Sequence, residues 1–166
     1  MKTRTIASLI AVSALALATP TFAQSDLRAD IAADYDANLA ALFTYFHENP
    51  ELSHREFKTA ARLAAEIRAL GYDVTEGVGG TGVVAVLENG EGPTVMIRAD
   101  MDGLPVKENS GRSYSSTVTQ EDIDGIVKPV MHACGHDTHI TSLVGTARQM
   151  AARKNQWSGT LVLIGQ

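Results

Sequence analysis

A single cysteine, Cys134, stands among 166 residues, so no internal disulfide can staple the chain. Basic residues are also scarce: 14 Lys and Arg face 19 Asp and Glu, a formal net charge of −5 at pH 7. A nucleic-acid binder needs a basic face, and this balance does not supply one. The uncharged stretch from Ile6 to Ala18 is too short for a permanent membrane-spanning helix. Internal repeats and low-complexity linkers are missing as well. What remains is 45% apolar and 20% charged, the composition of one folded domain of ordinary size rather than a disordered tail or a membrane bundle.

The N-terminus carries a targeting pattern. Lys2 and Arg4 precede the Ile6–Ala18 stretch, and Thr21 and Ala23 supply small residues before a cleavage point. These are the parts of a secretory signal peptide spanning residues 1–23. The expected mature chain, 24–166, loses two basic residues, leaving 12 against 19 acidic ones, or −7. The expectation is an exported, secreted or periplasmic protein with no stable membrane anchor after cleavage.

Apolar residues from Leu27 to Phe46 recur every three or four positions, which predicts a one-faced helix from Asp26 to Asn49. Asn49-Pro50 ends it, because the residue before proline is pushed out of the helical region. Ser53-His54-Arg55-Glu56 reads as a capping box opening a second helix through Leu70, with Gly71 as the stop. Runs rich in β-branched residues, Gly82–Leu87 and Thr94–Ala99, predict strands around a Glu88–Pro93 turn, with a further short strand at Tyr72–Thr75. A polar, strand-poor passage runs from Lys107 to Lys128. A third helix is predicted from Thr138 to Arg153, and a last strand from Gly159 to Ile164. Strands alternating with helices favour an α/β sheet covered on both faces. With no helix after the last strand, an open, partly uncovered sheet is the expectation for this chain.

In such sheets reactive groups collect at the carboxyl ends of strands. Asp100 and Asp102 follow the strand ending at Ala99. His132, Cys134, His136, Asp137 and His139 crowd the turn before the third helix. Three readings of that cluster stay open. Thiolate, imidazole and carboxylate donors suit zinc and neighbouring transition metals, with an Asp orienting a ligand histidine. Alternatively, Cys134 is a nucleophile activated by a nearby histidine. In the third, the residues are ordinary packing and helix-start hydrogen bonders. His47 and His54, flanking Pro50, read as surface or helix-end hydrogen bonders, and Glu48, Glu51 and Glu56 as solubilising or capping residues.

Three segments occur in order: His47-Glu48-Asn49-Pro50-Glu51-Leu52-Ser53, Arg98-Ala99-Asp100-Met101-Asp102-Gly103-Leu104-Pro105 and Met131-His132-Ala133-Cys134-Gly135-His136-Asp137-Thr138-His139. Together they resemble the metal-dependent amidohydrolases that include hippurate hydrolase, plant auxin-conjugate hydrolases and bacterial N-acyl-amino-acid deacylases. The resemblance implies a zinc-exopeptidase-like α/β sheet with flanking helices, of which residues 24–166 are the N-terminal part. It also implies two divalent ions, manganese or zinc foremost and cobalt or nickel as alternatives. Cys134 and His136 would be metal ligands, Asp102 an orienting acid, and Asp100 and His139 supporting residues. The substrate would be a small N-acyl amino acid or peptide-like amide, and the full-length form a homodimer. The family's paired glutamates, one the general base, do not occur within these 166 residues. The alternative reading is therefore a catalytically inert fragment or accessory module.

Overall fold

The structure is a computed structural model that describes residues 23–166. The expected signal peptide lies outside the described residues except for Ala23. Among the described residues no helix is long and apolar enough to cross a membrane.

Helix α1 (Ala23–Asp34) runs through a π-helical turn, Tyr35–Leu39, into α2 (Ala40–Glu48). The single long helix predicted for 26–49 is thus re-phased in its middle, since a π turn inserts an extra residue into the α repeat. The consequence is visible in burial. Leu39, Leu42 and Phe46 enter the core, whereas Leu27, Ile31 and Tyr35 stay exposed beside α4 (His136–Ala152). Salt bridges from Arg148 to Asp34 and from Arg153 to Asp30 hold this half of the helix against α4.

Helix α3 (Phe57–Arg68) buries Ala60, Leu63, Ala64 and Ile67 on one stripe, the i, i+3, i+4, i+7 spacing of a helix lying on a core. Its cap differs from the predicted Ser53 box. Ser53 is exposed, and the carboxylate of Glu51 accepts the Thr59 N–H at 2.7 Å. Pro50 turns the chain so that Glu51, and not Ser53, faces the open end of the helix. Glu51 and Glu56 are both buried, which removes the solubilising role expected of them. Glu56 instead accepts a hydrogen bond from Thr81 at 2.7 Å.

Strands β1 (Asp73–Val78), β2 (Gly82–Asn89), β3 (Thr94–Ala99) and β6 (Gly159–Gly165) form one sheet in the order β1-β2-β6-β3. Only β3 and β6 pair in parallel; β1–β2 and β2–β6 are antiparallel. The connection from β3 to β6 carries α4, as a parallel crossover requires. Val83, Ala85 and Leu87 of β2 and Leu161 and Leu163 of β6 join α2, α3 and α4 in one core. The alternate residues Val84, Val86, Val162 and Ile164 are only half-buried. The described helices therefore pack on one face. This corrects the two-faced covering while matching the open sheet. Each fully buried Leu or Ile contributes about 1.5–3 kcal/mol, so the stability of the chain is concentrated on the helical face.

The passage predicted to be strand-poor contains a two-stranded ribbon, β4 (Thr119–Glu121) with β5 (Val127–Pro129). The Asp122 carboxylate accepts the N–H groups of Asp124 and Ile126, and Gly125 takes a φ of 79°. That side-chain turn closes a ribbon too short to leave a period-2 signature. Gln120 anchors it to the Pro50 corner by accepting the Leu52 N–H at 2.6 Å.

Candidate metal centre

The three motifs, far apart in sequence, meet at the carboxyl end of β3. Gly103 N–H donates to the Glu51 carbonyl at 2.6 Å, and Leu104 pairs with Met131 in an antiparallel bridge. A Cβ on Gly103 would lie 2.8 Å from Val130 and 3.0 Å from Pro50, so only glycine lets these segments close on one another. His47 joins the first motif to the third directly through Asp137.

Two imidazole–carboxylate clusters flank the first turn of α4. In the outer one, the donor atoms of Asp100, His136 and His139 all lie within 4.8 Å of one another. Gly135, with a φ of 80°, starts the helix, so His136 is its first residue and His139 stands three positions on, over the same face. His136 Nδ1–H donates to both the carbonyl and the Oδ1 of Asp102, each at 2.9 Å. That contact fixes the ring and leaves Nε2 facing Asp100 Oδ2 at 3.9 Å. In the neutral tautomer so held, a nitrogen lone pair and a carboxylate oxygen face each other, and neither can donate to the other. A divalent cation suits such a pair, and the carboxylate-held imidazole is the usual support of a ligand histidine. The residues present therefore fit a cation. Asp100 also accepts from the Arg98 guanidinium. A cavity of about 470 Å³ opens beside these groups, lined by His54, Arg98, Asp100, Asp102 and Gln166 among others. Cys134 is exposed and does not join the three-donor group.

The inner cluster is buried and saturated in the sense that every side-chain nitrogen and oxygen in it has a hydrogen-bond partner. His47 donates to Asp137 Oδ2 at 2.7 Å and to Glu108 Oε1 at 3.1 Å. Ser110 hydroxyl and Ser116 N–H also donate to Glu108, while Thr138 N–H donates to Asp137 at 2.8 Å. Burial disfavours a charged His47, yet the hydrogen bonds and charges of Asp137 and Glu108 prevail and raise its pKa. Burial likewise opposes an ionised Glu108, and the Ser110, Ser116 and His47 donors overcome it, lowering its pKa to about 2. An imidazolium donating from both nitrogens to two carboxylates is the consistent state. The helix-end role read for His47 is thereby corrected: it is the bridge between α2, the 108–116 loop and α4. Glu108 had no sequence signal, because it lies in an irregular polar passage. Asp137 appeared only as one acid of the cluster. His54 remains exposed, with the one positive φ of a non-glycine residue among the described residues, 65°.

The comparisons with known proteins bear on the family and the fold. Residues 96–166 match the model of peptidase family M20/M25/M40. Over this stretch the chain resembles that family. The resemblance read from the three motifs is thus borne out. Over 122 residues, 72% of its length, the chain is 47% identical to thermostable carboxypeptidase 2 of Saccharolobus solfataricus. It is 41% identical over 121 residues to the hippurate hydrolase of Campylobacter jejuni. A solved structure from Bacillus subtilis, a dinuclear metal binding peptidase from the M20 family, superposes with a TM-score of 0.70 at 31% identity over 81% of this chain. The chain spans 29% of the length of each of the two curated relatives and 35% of the solved one.

Proposed function

We propose that this chain contributes part of the metal centre of an M20-family amidohydrolase that cleaves small N-acyl amino acids or related peptide-like amides. The observation that carries the reading is the convergence of Asp100, His136 and His139 donor atoms within 4.8 Å at the end of β3. Hippurate hydrolase among the relatives supports the substrate class, and the dinuclear peptidase supports a pair of ions. His136 and Asp100 would hold a cation through Nε2 and Oδ2, with His139 beside them. Cys134 enters as a further ligand by the family resemblance. Manganese or zinc is the proposed metal, with cobalt or nickel as alternatives.

A bound divalent ion polarises an amide carbonyl and makes water a better nucleophile near neutral pH. The chain's own residues position that ion. Asp102 accepts a hydrogen bond from His136 Nδ1–H and so fixes the tautomer that leaves Nε2 free. The His47–Asp137–Glu108 network holds the first turn of α4, and with it His136, in place. The cavity beside Asp100 is large enough for a small amide. The general-base glutamate and the remaining ligands belong, in this proposal, to polypeptide outside these 166 residues. Residues 1–23 act as a signal peptide, the protein works outside the cytoplasm, and the full-length form is a homodimer.

The test begins with metal. Zinc or manganese added to the chain is expected to bind and raise its denaturation midpoint, and His136→Ala is expected to abolish the effect. Unchanged binding in His136→Ala would sink the proposed centre. For the full-length protein, a chelator is expected to stop hydrolysis of an N-acyl amino acid, and activity untouched by chelation would refute the enzyme reading.

A further inference from the structure

His132 is only 6% exposed, and neither ring nitrogen has a hydrogen-bond partner. A neutral imidazole carries one donor and one acceptor, and native interiors leave such groups unpaired very rarely. Each buried orphan carries the full cost of its lost hydration. Something outside the protein atoms must therefore satisfy the ring.

The ring's place in the chain narrows the choice. His132 follows Met131, whose backbone pairs with Leu104 two residues after Asp102. It precedes the turn that starts α4 at His136 and Asp137. It thus lies in the chain between the segments that carry Asp102 and the start of α4, and the charges of both Asp102 and Asp137 act on its ring. Asp102 uses Oδ1 toward His136, and no hydrogen bond reaches its Oδ2 among the described residues. A cation is a poor candidate for the space. No group of three donor side chains within reach of one another includes His132 among the described residues. Water needs only two to four polar partners in a polar pocket; Asp102 Oδ2 has no hydrogen bond, and each Asp137 oxygen, with one partner, keeps a second lone pair.

We propose that His132 anchors buried, ordered water that links the Asp102–His136 pair to the His47–Asp137 pair. The ring N–H donates to one water, its lone pair accepts from another, and the waters donate onward to the flanking carboxylates. The two clusters then form one continuous hydrogen-bonded floor beneath the first turn of α4. This water site stands whether or not Asp100, His136 and His139 bind a cation.

Nuclear magnetic resonance on the nitrogen-labelled full chain tests it directly. A neutral His132 ring is expected, its N–H protected from exchange and showing cross-relaxation with long-lived water. The absence of any such water contact would overturn the proposal. So would a scalar coupling between the His132 nitrogens and added cadmium, which would put a cation in the water's place. His132→Leu supplies the second arm, because the two possibilities predict opposite signs. If the ring is truly unpaired, an apolar replacement of similar size raises the urea midpoint or leaves it unchanged, and the proposal fails. If water satisfies it, the midpoint falls, and His132→Gln, which keeps a donor and an acceptor, recovers part of the loss. Should His132→Leu not fold, the water contact in the unaltered chain still decides.

Discussion

The two imidazole–carboxylate clusters on α4 use the same residue types for opposite ends. Around His47 each ring nitrogen has a carboxylate partner, each carboxylate has further donors, and solvent is nearly excluded. Around His136 one nitrogen is anchored and the other faces a carboxylate with no proton to share, beside an open cavity. A saturated network spends its hydrogen-bonding capacity on holding the backbone. An unsaturated one, rigidly held, keeps capacity for a ligand. Residue type alone does not distinguish them; partner count and burial do.

Breaking the saturated cluster has the largest expected effect. His47→Leu strands the Asp137 and Glu108 carboxylates, whose side chains are 4% and 1% exposed, and is expected to cost about 3–5 kcal/mol in urea unfolding. A loss below about 1 kcal/mol would show that the network is not structural. Loading the unsaturated cluster comes next. Zinc at about 100 times its dissociation constant is expected to stabilise the chain by about 2.7 kcal/mol, read as a rise in melting temperature. Asp100→Asn should shrink that rise without moving the metal-free midpoint.

Acid and alkali sharpen the contrast further. Glu108 is held at about 2, below its ordinary 4.5, so its contribution is complete above pH 4.5 and is lost as pH falls toward 2. The His47 pKa is raised above its ordinary 6.5, so its contribution is complete below 6.5 and is lost as pH rises through the raised value. Burial lowers His132 to about 4, with the Asp137 charge opposing; it therefore adds a loss as pH falls from 6.5 toward 4. Unfolding midpoints across pH should show both limbs, and Glu108→Gln should flatten the acid one. Smaller still, Gly135→Ala forces a left-handed residue at the start of α4 and should cost about 1 kcal/mol. His139→Ala, at an exposed site, should stay within about 0.5 kcal/mol in stability while weakening zinc binding, measured by calorimetry.

Elements with a clear period were legible in the sequence. The stripe Ala60, Leu63, Ala64, Ile67 and the runs Gly82–Leu87, Thr94–Ala99 and Gly159–Ile164 became α3, β2, β3 and β6. The density of Asp100, Asp102, Cys134, His136 and His139 in the motifs marked them for attention, and the fold brings Asp100, His136 and His139 together. What escaped depends on tertiary contact. The π turn at Tyr35–Leu39 leaves the apolar spacing nearly intact, so nothing in the period betrays it. The Glu51 cap reaches the Thr59 N–H from eight residues away rather than three. Glu108 acquires its role only when the loop folds over His47, 61 residues distant.

Strand β3 lies at the margin of the sheet, and Val95 and Met96 on it are 52% and 63% exposed. Its outer row of N–H and C=O groups is a template on which a foreign strand can dock. The acid Asp100 therefore hangs from an edge strand exposed along most of its length. Whatever lies against that margin, whether further polypeptide or a neighbour at high concentration, also sets how firmly the acid is aimed.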